Sequence, residues 1–188
     1  MESTARPPVA PAKLLVPALI GAAVAVGLGV YGNEHTPTGE SILDDGLFFS
    51  ATLNMKAWLA TAALTLACFQ VISALWIYRR LPGALPAPTW VGSAHRVSGT
   101  LAFLISLPVA YHCLWALGFQ DGTTRVLIHS LAGCFFYGAF AAKVVVVESS
   151  RLPGWSLPLA GGLVFASLVG IWLTSALWFF DNVGFPEF

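Results

Sequence analysis

Few residues in this chain have a type and spacing that could do chemistry, and four of them are histidines: His35, His95, His112 and His129. His112 and His129 lie inside long apolar stretches. His112 is seven residues before Phe119, where one stretch ends, and His129 is three residues after Val126, where the next begins. If both stretches are helices joined by the short turn between them, they run antiparallel and the two imidazoles share one depth. Two neutral imidazoles facing each other in apolar surroundings can ligate the iron of a b-type haem from both sides. Gly133, one turn from His129, and Ala110, near His112, leave room for a flat ring. Pro108, four residues before His112, breaks the backbone ladder and can kink its helix outward. Phe136 and Phe140 continue the His129 face and could wall the slot, or simply pack a helix interface. Packed helices sit about 8–10 Å apart, so a haem also requires the pair to splay. The alternatives for His112 and His129 are a hydrogen-bonded structural pair or a different metal.

The other two histidines stand apart. His95, beside Arg96, opens the same stretch as His112 from its opposite end, about 25 Å away at ~1.5 Å per residue. A salt bridge to Glu148 or simple anchoring is expected there, with an accessory haem or quinone contact as the alternative. His35 lies in the polar segment Glu34-His35-Thr36-Pro37. It is expected as a solvated loop residue. With Glu34, Asp44, Asp45 and the other two histidines on its side, it could instead join a copper or zinc site, although no two ligands fall at i, i+3 or i+4 on one helix. Cys68, Cys113 and Cys134 all sit in apolar stretches and predict packing rather than disulfides. No nucleophile–base pair, paired catalytic carboxylates or phosphate-binding glycine loop occurs. No Asp, Glu or Arg falls near the middle of an apolar stretch, and Lys143 is close enough to an end to snorkel, which argues against an ion-coupled pump.

The elements that would position these groups follow from composition. Of 188 residues, 57% are hydrophobic and 10% charged, against about 25% charged in soluble domains. A soluble chain this short could not hide that much apolar surface. Five stretches reach or approach the ~20 apolar residues needed to cross a bilayer: 14–31, 57–78, 97–119, 126–147 and 157–180. Inside lipid they must be helical, because each backbone amide has to be paired within its own segment. An all-α, polytopic, five-helix transmembrane bundle forming a single domain over 1–188 is therefore expected. Pro82, Gly83, Pro86 and Pro88 break the second connection, Asp121-Gly122 the third, and Pro153-Gly154 the fourth. Tyr31, Trp58, Tyr78, Trp90, Trp155 and Trp178 mark interfaces. Gly27, Gly29, Gly161 and Gly162 predict close helix packing. The first stretch follows Arg6 and Lys13 and reads as an uncleaved anchor rather than a signal peptide.

Charge is distributed by side. With the N-terminus inside, Arg6, Lys13, Arg79, Arg80, Arg96, Lys143 and Arg151 lie inside, and only Lys56 and Arg125 lie outside. Glu34, Glu40, Asp44, Asp45, Asp121, Asp181 and Glu187 lie outside, with Glu2 and Glu148 inside. The positive-inside rule then predicts N-terminus in, C-terminus out, in a multi-pass protein of the cell membrane.

The run His95-Arg96-Val97-Ser98-Gly99, with Leu107-Pro108-Val109-Ala110-Tyr111-His112-Cys113 and Arg125-Val126-Leu127-Ile128-His129-Ser130-Leu131-Ala132-Gly133, resembles uncharacterised five-helix membrane proteins of actinobacterial type. More distantly, its His-Arg-x-x-Gly start and late helical histidine resemble ferric-reductase-like and other b-type haem membrane proteins. That resemblance covers two helices and lacks a second histidine pair. It implies haem b held by His112 and His129, and electron transfer as a subunit beside a quinol or a membrane-anchored redox protein. The other expectations are a cofactor-free membrane protein in assembly, packing or small-molecule passage, and outer-face copper or zinc handling. Nothing suggests nucleic acid.

Overall fold

The computed structural model describes residues 12–41, 43, 47–83, 85–149 and 152–185. Glu2, Arg6, Asp44, Asp45, Arg151 and Glu187 lie outside the described residues. The described chain is all helix, with no strand: α1 (Ala12–Glu34), α2 (Thr52–Ile77), α3 (Thr89–His112), α4 (Thr124–Glu148), α5 (Ser156–Trp172) and α6 (Trp178–Asn182). Two π-helical turns, Cys113–Leu117 and Leu173–Leu177, continue α3 and join α5 to α6. Five helical rods are long and apolar enough to cross a membrane. The chain is an integral membrane protein.

Hydroxyl groups inside these rods bond back to their own helix. Thr61 donates to Ala57, Ser73 to Phe69, Ser98 to Ala94 and Thr174 to Gly170, each reaching the carbonyl four residues earlier. Among the described residues, no buried side-chain nitrogen or oxygen lacks a partner, as a setting without water requires.

The helices run past their apolar cores into polar flanks. α2 starts at Thr52 rather than Ala57, taking in Asn54 and Lys56, and α3 starts at Thr89 rather than Val97. His95 consequently sits within a helix instead of opening one. α3 begins directly after Pro88, and Thr123 caps α4 by accepting from the Val126 amide at 3.3 Å.

The rods form a ring that closes at one end. α1 packs on α4, α4 on α5, α5 on α2, α2 on α3, and the π turn after α3 returns to α1. The α1–α4 seam is the tightest. A Cβ on Gly138 would press on the Gly21 carbonyl and the Ala25 backbone, and one on Gly21 would meet the Gly138 carbonyl at 2.8 Å. Close packing therefore belongs to Gly21 and Gly138. The glycines expected to provide it do not: nothing lies within 4 Å of a Cβ on Gly27, Gly161 or Gly162, and Gly29 meets only the Cys134 sulfur at 3.9 Å.

α3 and α4, although consecutive, do not lie against each other along their backbones. Long side chains bridge them: Phe103 stacks on Phe140 with centroids 4.2 Å apart and meets Tyr137 edge-on at 6.0 Å. The Tyr137 hydroxyl lies 2.9 Å from Ser106 Oγ and donates to the Ser106 carbonyl at 3.1 Å.

One end of the ring carries the α1–α2 and α3–α4 connections, and is termed here the Gln120 end. There Gly118 has φ +69°, and a Cβ would meet the Gly32 carbonyl at 2.9 Å, so both conformation and space require glycine. The Phe119 amide then donates to the Gly32 carbonyl at 2.7 Å, tying α1 to the end of α3.

Candidate functional site

Where α3 and α4 stand apart, the ring leaves a half-open cavity of about 350 Å³. All five membrane-spanning rods contribute to its wall, from Leu28 on α1 to Ile171 on α5. Ser106, Phe136 and Tyr137 lie at its deep end, where the Phe103–Tyr137 bridge begins. Both π turns line it, through Cys113 and Leu117 on one side and Thr174 and Ala176 on the other. Such turns widen a helix by one residue and expose carbonyl oxygens, and they recur at functional sites.

The wall is mostly apolar, but its Gln120 end is cationic. Lys56 near the start of α2 and Arg125 near the start of α4 both line the cavity, with Gln120 and His129. No Asp or Glu is among the described lining residues. Arg125 is fixed in place: Nη1 donates to the Thr174 carbonyl at 2.5 Å, and the guanidinium lies 4.1 Å from the Trp178 ring centroid. Thr174 also sets His129. Its single hydroxyl proton goes to the Gly170 carbonyl at 2.7 Å, so at the 3.1 Å contact with His129 Nδ1 the imidazole is the donor. Arg125 and His129 are four residues apart and share one face of α4, and both meet the second π turn at Thr174.

The residues expected to act divide between this cavity and other places. His129, Gly133 and Phe136 line it, and a Cβ on Gly133 would meet nothing within 4 Å. Ala110 lines it too, whereas Phe140 turns to stack on Phe103. His112 is not in the lining. It is buried, 6% exposed, with Nδ1 2.9 Å from Ser41 Oγ in the α1–α2 connection. The lining stripe of α3 runs through Ser106, Val109, Ala110 and Cys113, and His112 lies about 100° around the helix from Cys113. Equal depth is not equal direction. A haem b clamped between His112 and His129 does not fit, because the cavity receives only one of the two imidazoles.

His95 has Ser73 as its partner, not Glu148. The Ser73 hydroxyl lies 2.8 Å from Nδ1, and Gln70 donates to the His95 carbonyl and, at 2.7 Å, to Ser98 Oγ. This is a polar clasp between α2 and α3, far from the cavity. His35 is not a free loop residue. Nε2 donates to the Trp115 carbonyl at 3.0 Å, and the ring stacks on Tyr31 with centroids 5.1 Å apart. It caps a carbonyl released by the first π turn, as Gly39 does for Ala116 at 3.1 Å and Gln120 for Leu117 at 2.6 Å. Among the described residues, no three of His, Cys, Asp and Glu come together as a metal-binding group.

Lys56, Arg125 and Thr174 are among the cavity residues that the sequence did not single out as site residues. One signal for two of them was present. Lys56 and Arg125 are the two basic residues on the acidic side of the chain's charge asymmetry.

No curated protein and no solved structure matches the chain, and nothing in the comparisons supports the likeness to ferric-reductase-like proteins. The family match covers nearly the whole length, residues 14–187, and the chain belongs to DUF6529, a family of unknown function.

Proposed function

We propose that this protein is a membrane-embedded binding protein for a small amphiphilic molecule, held in the central cavity during its storage or passage through the bilayer. The observation that carries this reading is the cavity itself. Five apolar rods could close on one another without a gap, yet α3 and α4 are propped apart by aromatic side chains and leave about 350 Å³ lined by every rod. That volume is at the lower end of small-molecule sites, and an apolar wall with a few convergent polar groups is their usual composition. It suits one chain or one ring rather than a whole two-chain lipid. With the N-terminus in the cytoplasm, as the positive-inside rule favours, the polar end of the cavity opens toward the outer leaflet.

Gly133 makes the reading testable. It lines the cavity and has open space where a side chain would go, so Gly133→Phe fills the site without displacing a helix. The protein in phosphatidylcholine nanodiscs is titrated with chain-brominated dodecanol, whose bromine quenches nearby indoles, including Trp178 in the cavity wall. Saturable quenching that Gly133→Phe removes, with its melting temperature unchanged or raised, is the expected result. Quenching identical in the two proteins would mean that the probe reports only bulk lipid, and would overturn the proposal.

A further inference from the structure

We infer that the ligand carries a single anionic head, a carboxylate or a phosphate, held between Lys56 and Arg125 with its tail running to the Ser106–Tyr137 end. This rests on the cavity being a binding site and adds the class of molecule it takes.

Three independent observations point to an anion. First, the described lining holds two cations and no carboxylate. Cations at one end of an apolar cavity favour an anionic partner, and an anion entering between Lys56 and Arg125 supplies one. Second, Arg125 is aimed rather than free to snorkel. Its contacts with the Thr174 carbonyl and the Trp178 face hold the guanidinium at the cavity wall and use only part of its five N–H donors. Third, α2 and α4 both begin at this end, at Thr52 and Thr124, and present the positive ends of their dipoles there.

The apolar remainder dictates the tail. From Ala57 and Ala60 on α2 to Phe136 and Leu168 the wall offers no further charge, so the ligand must be an amphiphile rather than a free inorganic ion.

The quenching titration in nanodiscs tests this with four chain-brominated probes of equal chain length: dodecanol, dodecanoate, dodecyl phosphate and dodecyltrimethylammonium. At least one anion should bind about tenfold more tightly than dodecanol, the advantage of one charge-assisted hydrogen bond, and the cation should not compete. A stronger carboxylate identifies a fatty-acid-like ligand, and a stronger phosphate a lipid-phosphate-like one. Either result supports the shared chemistry. Arg125→Gln and Lys56→Gln should each remove most of the anion's advantage over dodecanol, with both probes measured in the same variant. Lys56→Gln keeps the test open if the Arg125 variant fails to fold. If dodecanol binds as tightly as both anions, the anionic head is wrong and the binding site stands. If no probe binds saturably, both are wrong.

Discussion

The two sides of α4 solve opposite problems with the same residue type. Toward α1, Gly138 lets two backbones come so close that a single methyl group would strike the Gly21 carbonyl. Toward α3, Gly133 faces open space at the cavity wall. One glycine is there because nothing else fits, and the other widens a space already held open by Phe103, Phe140 and Tyr137. In lipid, helices gain little from hiding apolar surface from one another, so contact rests on close packing and interhelical hydrogen bonds. A gap between helices is then not simply a failure of packing. It has to be propped, and the props are visible.

The sharpest way to break the comparison is to exchange the two glycines' fates. Gly138→Leu puts a side chain into backbone that cannot yield, and should cost upward of ~3 kcal/mol, seen as loss of folded protein or a large fall in melting temperature in detergent. Gly133→Leu, the same chemistry five residues away, should leave the melting temperature unchanged or raised, since replacing an unstrained helical glycine gains up to ~1 kcal/mol. Equal damage from both would dissolve the distinction between seam and cavity.

A smaller effect sharpens the cavity side. Thr174→Val removes the hydroxyl that orients His129, at a cost of about 1 kcal/mol. The informative readout is the imidazole's tautomer. Nitrogen-15 chemical shifts of His129 should change from Nδ1–H in the parent toward Nε2–H in the variant, and an unchanged Nδ1–H signal would show that Thr174 does not set the proton's position.

The smallest effect separates the two histidines once paired by depth. His112→Ala should leave ligand affinity within about twofold of the parent, because its ring faces Ser41 and not the cavity. It should still cost about 1 kcal/mol of stability through the lost bond. A loss of binding as severe as that of Arg125→Gln would put His112 back in the site.

How much of this was legible in the sequence follows physical lines. The five rods were, because the bilayer's thickness sets a length and the absence of water sets the backbone's pairing. Their ends were not: Thr52 to Lys56 and Thr89 to Arg96 continue helices on polar residues that hydropathy alone reads as loop. Depth along the membrane could be counted from helix ends, which brought His112 and His129 to a similar level. Direction around the axis could not, because it depends on which neighbour each helix meets, and the ring placed α2 and α5 where α3 and α4 were expected to close. His112 was lost on that point. Two π turns shift the register by one residue and have no compositional signature, so Thr174 as a shared partner of Arg125 and His129 was invisible. Lys56 and Arg125 were visible, but only as the two basic residues on the acidic side of the charge rule.

The α1–α4 seam has a consequence for how the protein is made. α1 leaves the ribosome first, but the helix it fits is the fourth. Between those moments two more rods must enter the membrane while α1 waits in lipid with its glycine face uncovered. A rod apolar on all sides tolerates that wait. The seam therefore cannot form until α4 is made, and before that α1 has only the contacts at its Gln120 end with the turn after α3, such as the Phe119 amide on the Gly32 carbonyl.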